Sequence, residues 1–347
     1  MSDLEIDASI YNRAEHRNGL SNDVIDLATA AEDLGFDGVW SSETDCDAFL
    51  PLPLMAEHTD DIEIGTRIAL SFTRSPMVLA YLCWDLARYS NGRFTLGLGT
   101  QVKGHNERRF DVEFESPGPR LRDVILALRH IWDVFQGEED ELDYDGAFHS
   151  FSLMTPFFNP GPIDHPDIPI HIAGVNEYNL RLAGELADGL AMHTFNTPEY
   201  IDEVIVPAVE EGCERGNRSI DDVELIANPL TITGRDEDEM EAAREHVREQ
   251  IAFYGSTRTY HDVLALHGLK DVGQELHERS KQGEWKEMDE VVTDDIVDTF
   301  AIEAPIDELG DEIHRTYGNV VDRVLLSYDF DGEEYWRTVV EDVHTGE

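Results

Sequence analysis

Ser90-Asn-Gly-Arg-Phe-Thr-Leu-Gly-Leu-Gly-Thr100 carries the two signals that decide the architecture. An amphipathic stretch from about Met77 to Tyr89 stops at Ser90-Asn91-Gly92, and an apolar run from Arg93 to Gly99 begins at once. A helix-ending glycine followed directly by a strand marks the joint of an α/β unit. The same grammar extends in both directions. Towards the N-terminus, Ile62–Leu70 reads as a strand. Before it, Val24, Leu27, Ala28, Ala31 and Leu34 share a helical face that stops at Gly35 and leads into a strand at Phe36–Trp40, and Leu4–Ile10 reads as the first strand. Towards the C-terminus, Leu121–Phe135 is amphipathic, and strands are expected at Ile168–Ala173, up to His193, over 222–233 and over Asn319–Tyr328. Eight strands separated by crossovers long enough for parallel connections predict a closed (β/α)₈ TIM barrel of the α/β class rather than an open sheet. One domain is expected over 1–347, with insertions at about 136–167, read as an insertion or lid, and at about 254–298.

The charge is the second large feature. Asp and Glu number 74 against 26 Lys and Arg, a formal net charge of −48 spread along the whole chain, while 41% of residues are hydrophobic. Self-repulsion on this scale is relieved by salt, whose screening length falls to about 3 Å at 1 M, so the composition predicts adaptation to molar salt. It excludes nucleic acid as a natural partner, since no basic stripe offsets the acidity. No apolar run approaches the roughly 20 residues of a membrane span, and the acidic start lacks a signal peptide's pattern, so a cytoplasmic protein is expected. Cys46, Cys83 and Cys213 show no metal-ligand spacing, and no HExxH, GxSxG or GxGxxG pattern occurs.

In a barrel, chemistry sits at the C-terminal strand ends. That rule selects Asp7 and Ser9, Ser41 to Glu43, Ser71 to Arg74, Gly99 to His105, Gly174-Val175-Asn176, and His193-Thr194. Within Gly99-Thr100-Gln101-Val102-Lys103-Gly104-His105 the glycines allow close backbone approach, and Gln101, Lys103 and His105 supply donors. Six of the 26 basic residues lie between Lys103 and Arg129, which suggests that an anionic group is held there. Gly174-Val175-Asn176 would present free amides at a helix N-terminus, a geometry suited to phosphate. His193 closes a strand, and an imidazole exchanges protons near neutrality.

Several runs carry a family likeness. Ile68-Ala-Leu-Ser-Phe-Thr-Arg-Ser-Pro-Met77, the Ser90–Thr100 block, and Ile172-Ala-Gly-Val with Leu182-Ala-Gly-Glu-Leu-Ala-Asp-Gly189 resemble the luciferase-like flavin and deazaflavin oxidoreductases over nearly the whole chain. Glu43-Thr-Asp, Gly99-Thr-Gln-Val-Lys-Gly-His105, Leu153-Met-Thr-Pro-Phe-Phe158 and Gln250-Ile-Ala-Phe-Tyr-Gly-Ser-Thr257 resemble a coenzyme F420-dependent subfamily. The likeness implies hydride transfer between a deazaflavin and a small organic substrate, with FMN-dependent oxygenation and a non-catalytic flavin-binding relative as the rivals, and a possible homodimer. It implies a non-proline cis peptide after the third strand, placed here at Ser71-Phe72. Gly99, Thr100, Gln101 and His105 are expected to line the cofactor and Glu43 and Ser71 to touch its ring or edge. Lys103 and its basic neighbours would serve the anionic tail, with Gly174, Val175, Asn176 and Thr194 also cofactor-binding, and His193 and Glu43 are the catalytic candidates. Family members often carry Gly-Pro-Arg where this chain has Gly174-Val175-Asn176, which leaves backbone amides as the phosphate contact there.

Overall fold

The strands pair in one continuous parallel ring. The computed structural model describes residues 4–10, 20–44, 46–326 and 333–346. Its barrel strands are β1 (Glu5–Ile10), β2 (Gly38–Ser41), β3 (Glu63–Thr66), β4 (Phe94–Gly99), β5 (Ile170–Gly174), β6 (Gly189–Met192), β7 (Glu224–Ala227) and β8 (Arg323–Leu326). Each pairs with the next, and β8 pairs back onto β1 with Glu5 opposite Arg323, so the ring closes with eight strands and is a TIM barrel. All strand C-termini therefore open at one mouth.

Local chemistry sets the joints. Pro76 and Pro117 each occupy a first helical position, where a missing N–H costs nothing, starting the helices Pro76–Tyr89 and Pro117–Gln136. Gly137, at φ 84°, ends the second of these in the left-handed region. One apolar layer results. Between sheet and helices lie Leu79, Trp84, Leu121, Leu128 and Ile131, all buried.

The barrel interior departs from the usual packing of branched aliphatics. Arg323 is buried in it, donating to both carboxylate oxygens of Asp7 at 2.8 and 3.1 Å and reaching Glu5 at 2.6 Å and Glu63 at 2.9 Å. Asp7 and Ser9 lie within β1 and not beyond its end, and Asp7 serves this ion network.

The long strand expected over Ile62–Leu70 is broken. The Thr66 hydroxyl accepts from the Gly97 amide and donates to the Gly97 carbonyl, substituting for ladder bonds. Arg67 and Ile68 then bulge out, and Ala69–Leu70 re-pairs with Leu98 and Gly99. The non-proline cis peptide accordingly falls at Arg67–Ile68, not at Ser71-Phe72: β3 ends four residues earlier than the apolar run suggests, and the bond moves with it. The strand expected over 222–233 also divides. Asn228-Pro229 interrupts it, proline having no amide for the ladder, and Leu230–Ile232 leaves the barrel to pair with Ala301–Glu303. The last strand is described to Leu326; Tyr328 lies outside the described residues.

The two insertions behave differently. The 136–167 segment is strapped to the outer helices: Asp123 accepts from Tyr144 Oη and His149 Nδ1, and Trp84 Nε1 donates to the Gly161 carbonyl. The 254–298 segment instead brings Tyr254 and Tyr260 onto His193 at the barrel mouth, with ring centroids 4.8 and 4.3 Å away. No helix among the described residues is long and apolar enough to cross a membrane.

Candidate active site

A cavity of about 250 Å³ lies at the mouth, between the ends of β3, β5, β6 and β7. Ile68, Val175, Met192 and Ile226 make its walls apolar, and Arg67, His193, Thr194, Asn228 and Tyr254 supply polar groups. Size and lining suit a flat, largely apolar ligand held by a few polar contacts.

Its wall exists because of two glycines. A side chain at Gly97 would meet the Thr66 carbonyl at 1.9 Å, and one at Gly99 would meet Ile68 Cδ1 at 2.5 Å. Both give room to the Arg67–Ile68 bulge, so they admit protein rather than ligand. Gly174 is likewise a packing position, since a Cβ there would meet Leu190 Cδ1 at 2.7 Å.

Of the residues picked from sequence, Gly174, Val175, His193 and Thr194 line this one cavity. His193 Nδ1 accepts the Phe195 amide at 3.0 Å, which fixes the proton of the neutral ring on Nε2. Burial against Tyr254 and Tyr260 pushes its pKa down to about 4. At neutral pH the side chain is therefore a hydrogen-bond donor through Nε2, not a base.

The remaining picks sit on the surrounding rim. Ser71 donates its amide and hydroxyl to the Gly99 carbonyl at 3.0 and 2.9 Å. Phe72 is buried against Phe114 beneath Arg120. Both oxygens of the Glu43 carboxylate are engaged: it accepts the Leu70 amide at 2.6 Å and takes Arg74 through both oxygens, at 2.9 and 2.8 Å. Arg74 also reaches Asp47 at 2.6 Å. With the Glu43 amide donating to the Ile68 carbonyl, Glu43 clamps the segment that follows the cis peptide.

Thr100 accepts Asn106 Nδ2 through its carbonyl, and Gln101, at φ 54°, accepts the Val102 amide on its side chain. Lys103 is exposed and pairs with Glu107; His105 is exposed. Asn176 caps the helix Glu177–Leu186 by accepting the Asn179 amide at 3.0 Å, so one of the amides expected to be free is already satisfied, and exposed Glu177 follows it. Of the basic cluster, Arg122 and Arg129 pair with Glu185 and Asp188. Arg109 and Arg120 instead donate to the carbonyls of Thr44 and Glu113, and no carboxylate pairs with either among the described residues.

Sequence reasoning missed Arg67, Asn228 and Tyr254. Arg67 did carry a signal: a charged residue inside an otherwise apolar strand demands a buried partner. Asp7 is that partner, at 3.1 Å, while the Arg67 guanidinium stacks 3.9 Å from the Trp40 ring centroid and points a nitrogen at His171 Nδ1, 3.5 Å away.

This geometry sits in a known lineage. The luciferase-like monooxygenase family model matches residues 9–323. The chain belongs to that family. An uncharacterized protein of Mycobacterium tuberculosis is 41% identical over 93% of this chain and 92% of its own length. The 5,10-methylenetetrahydromethanopterin reductase of Archaeoglobus fulgidus is 28% identical over 82% of this chain and 83% of its own. In fold, this luciferase-like chain is similar to the coenzyme F420-dependent tetrahydromethanopterin reductase of Methanopyrus kandleri, with a TM-score of 0.77, 21% identity and 98% of each chain covered. A long-chain alkane monooxygenase shares the fold at a TM-score of 0.71 and 13% identity, covering 98% of this chain and 90% of its own. The chain is thus an oxidoreductase of the luciferase-like family.

Proposed function

We propose that the protein is a cytoplasmic, coenzyme F420-dependent oxidoreductase that moves a hydride between the deazaflavin ring and a small organic substrate. The observation that carries this is the slot itself: an apolar cavity at the strand ends, bounded by Ile68 on one side and by Val175 and Met192 on others, with polar groups confined to its edge. A flat tricyclic ring fits such a donor set, which can grip the edge of a ring while its faces meet aliphatic carbon. The deazaflavin, when bound, supplies a ring carbon that accepts and returns a hydride.

The residues do the rest. Glu43 and Arg74 hold the Ile68 wall in place. Thr194 and Asn228 offer a hydroxyl and an amide at the slot. His193 Nε2–H donates to a substrate oxygen, polarising a carbonyl during reduction, while Tyr254 and Tyr260 keep water from it. Arg109 and Arg120, whose charges meet no carboxylate among the described residues, suit a polyanionic cofactor tail in a chain that is otherwise strongly acidic. The similarity to reductases and to an F420-dependent glucose-6-phosphate dehydrogenase of Amycolatopsis mediterranei, 27% identical over 73% of this chain and 77% of its own length, supports the deazaflavin. The family description favours the rival, FMN-dependent oxygenation.

Titration of the protein with F420 and with FMN in molar KCl, read by fluorescence, separates the two. F420 binding at least tenfold tighter than FMN is expected, followed by oxidation of the reduced form by a carbonyl or alkene panel. Tight FMN binding with oxygen consumption would replace the proposal by its rival. Tight binding with no turnover would make the chain a binding protein.

A further inference from the structure

Among the described residues Arg67 is the one cationic side chain lining the cavity, and it shares its carboxylate partner. Asp7, the only acid it touches among the described residues, is at the same time held by Arg323 through both oxygens, so two guanidiniums share one carboxylate. Glu5, Glu63 and Glu224 offset Arg323 from the opposite end of the barrel, Glu224 acting on Arg67 as well, and His171 is neutral, its pKa pushed well down by burial and the two arginines. Among the described residues no carboxylate lines the cavity. Arg67 is also immobile, clamped by Asp7 and the Trp40 face with its side chain only 6% exposed. A fixed positive charge beneath an apolar slot is what electrostatic preorganisation towards a developing anion requires.

We infer that Arg67 stabilises the negative charge that a bound flavin or deazaflavin ring acquires on reduction, and so sets the ring's preference for the reduced state. The inference rests on the site taking such a ring, but holds for either cofactor. When an alcohol is oxidised, its C–H bond breaks and the hydride forms a bond at ring position 5. The hydroxyl proton leaves to solvent as the carbonyl forms, and the transferred pair leaves a net negative charge on the N1–C2=O side of the ring. An arginine below the slot answers that charge; it takes no part in bond making.

The test needs no substrate. Dissociation constants of oxidised and chemically reduced F420, and of oxidised and reduced FMN, are measured by fluorescence in molar KCl for the wild type, Arg67→Met and Arg67→Lys, with circular dichroism to confirm folding. Arg67→Met is expected to lower the ratio of oxidised to reduced dissociation constants roughly tenfold, the effect of a unit charge at roughly 8 Å in a medium of effective dielectric about 20, discounted for Asp7. Arg67→Lys is expected to restore it to within about threefold of wild type. Equal weakening of both redox states in Arg67→Met, or an unchanged ratio, would overturn the inference and leave the cofactor assignment standing. If the wild type binds neither ring, both fall.

Discussion

His193 gives the sharpest test of the site's electrostatics. Its imidazole is held neutral by burial, with a pKa near 4 against about 6.5 when unfolded. A depressed folded pKa means stability that is fully present above the unfolded value and is lost as pH falls towards the folded one. Between pH 7 and pH 4.5 this single group should remove about 2 kcal/mol, the integral of its proton uptake over that window. Replacement by Phe keeps a ring against Tyr254 and Tyr260 but cannot titrate. Urea unfolding at the two pH values, in constant molar KCl, then gives a double difference. His193→Phe should lose less stability on acidification than the wild type by about 2 kcal/mol, whatever its absolute stability. Glu5, Glu63 and Glu224, whose carboxyls burial raises, contribute equally to both proteins and cancel. An identical acid-dependence in the two proteins would refute the buried, neutral, Nε2-protonated His193 on which its role as donor depends.

Glu43→Ala should destabilise by about 3 kcal/mol, because it strands the buried Leu70 amide and one face of Arg74. Asp47→Asn, at the half-exposed end of the same cluster, should cost under about 1 kcal/mol; urea denaturation compares them. Gly97→Ala, with no room before the Thr66 carbonyl, should cost on the order of 3 kcal/mol or prevent folding, read by expression and thermal melting. Raising KCl from 0.2 to 2 M should raise the melting temperature markedly if the net charge of −48 governs stability, and a flat response would remove the case for salt adaptation.

What could be read in advance and what could not divide along a physical line. The barrel was legible because its signals are local: Pro76 starts a helix, Gly92 ends the turn after it, and Phe94–Gly99 follows as a strand, all within about two dozen residues. The site was legible only as a rim, because the strand-end rule gives position along each strand but not the direction in which a side chain points. Glu43, Ser71 and Gln101 stand at the mouth, yet each spends a polar atom on the backbone, at Leu70, Gly99 and Val102. His193 lines the cavity, but its protonation state depends on Tyr254 and Tyr260, which arrive from an insertion more than 60 residues away. Arg67 was hidden for a further reason. Its partner Asp7 lies 60 residues earlier and is shared with Arg323, 316 residues from Asp7, so the charge beneath the cavity is defined only when β8 meets β1. Closing the barrel and setting the electrostatics of the mouth are therefore one event, and a change at the β1–β8 seam should be felt at the cavity before it is felt anywhere on the surface.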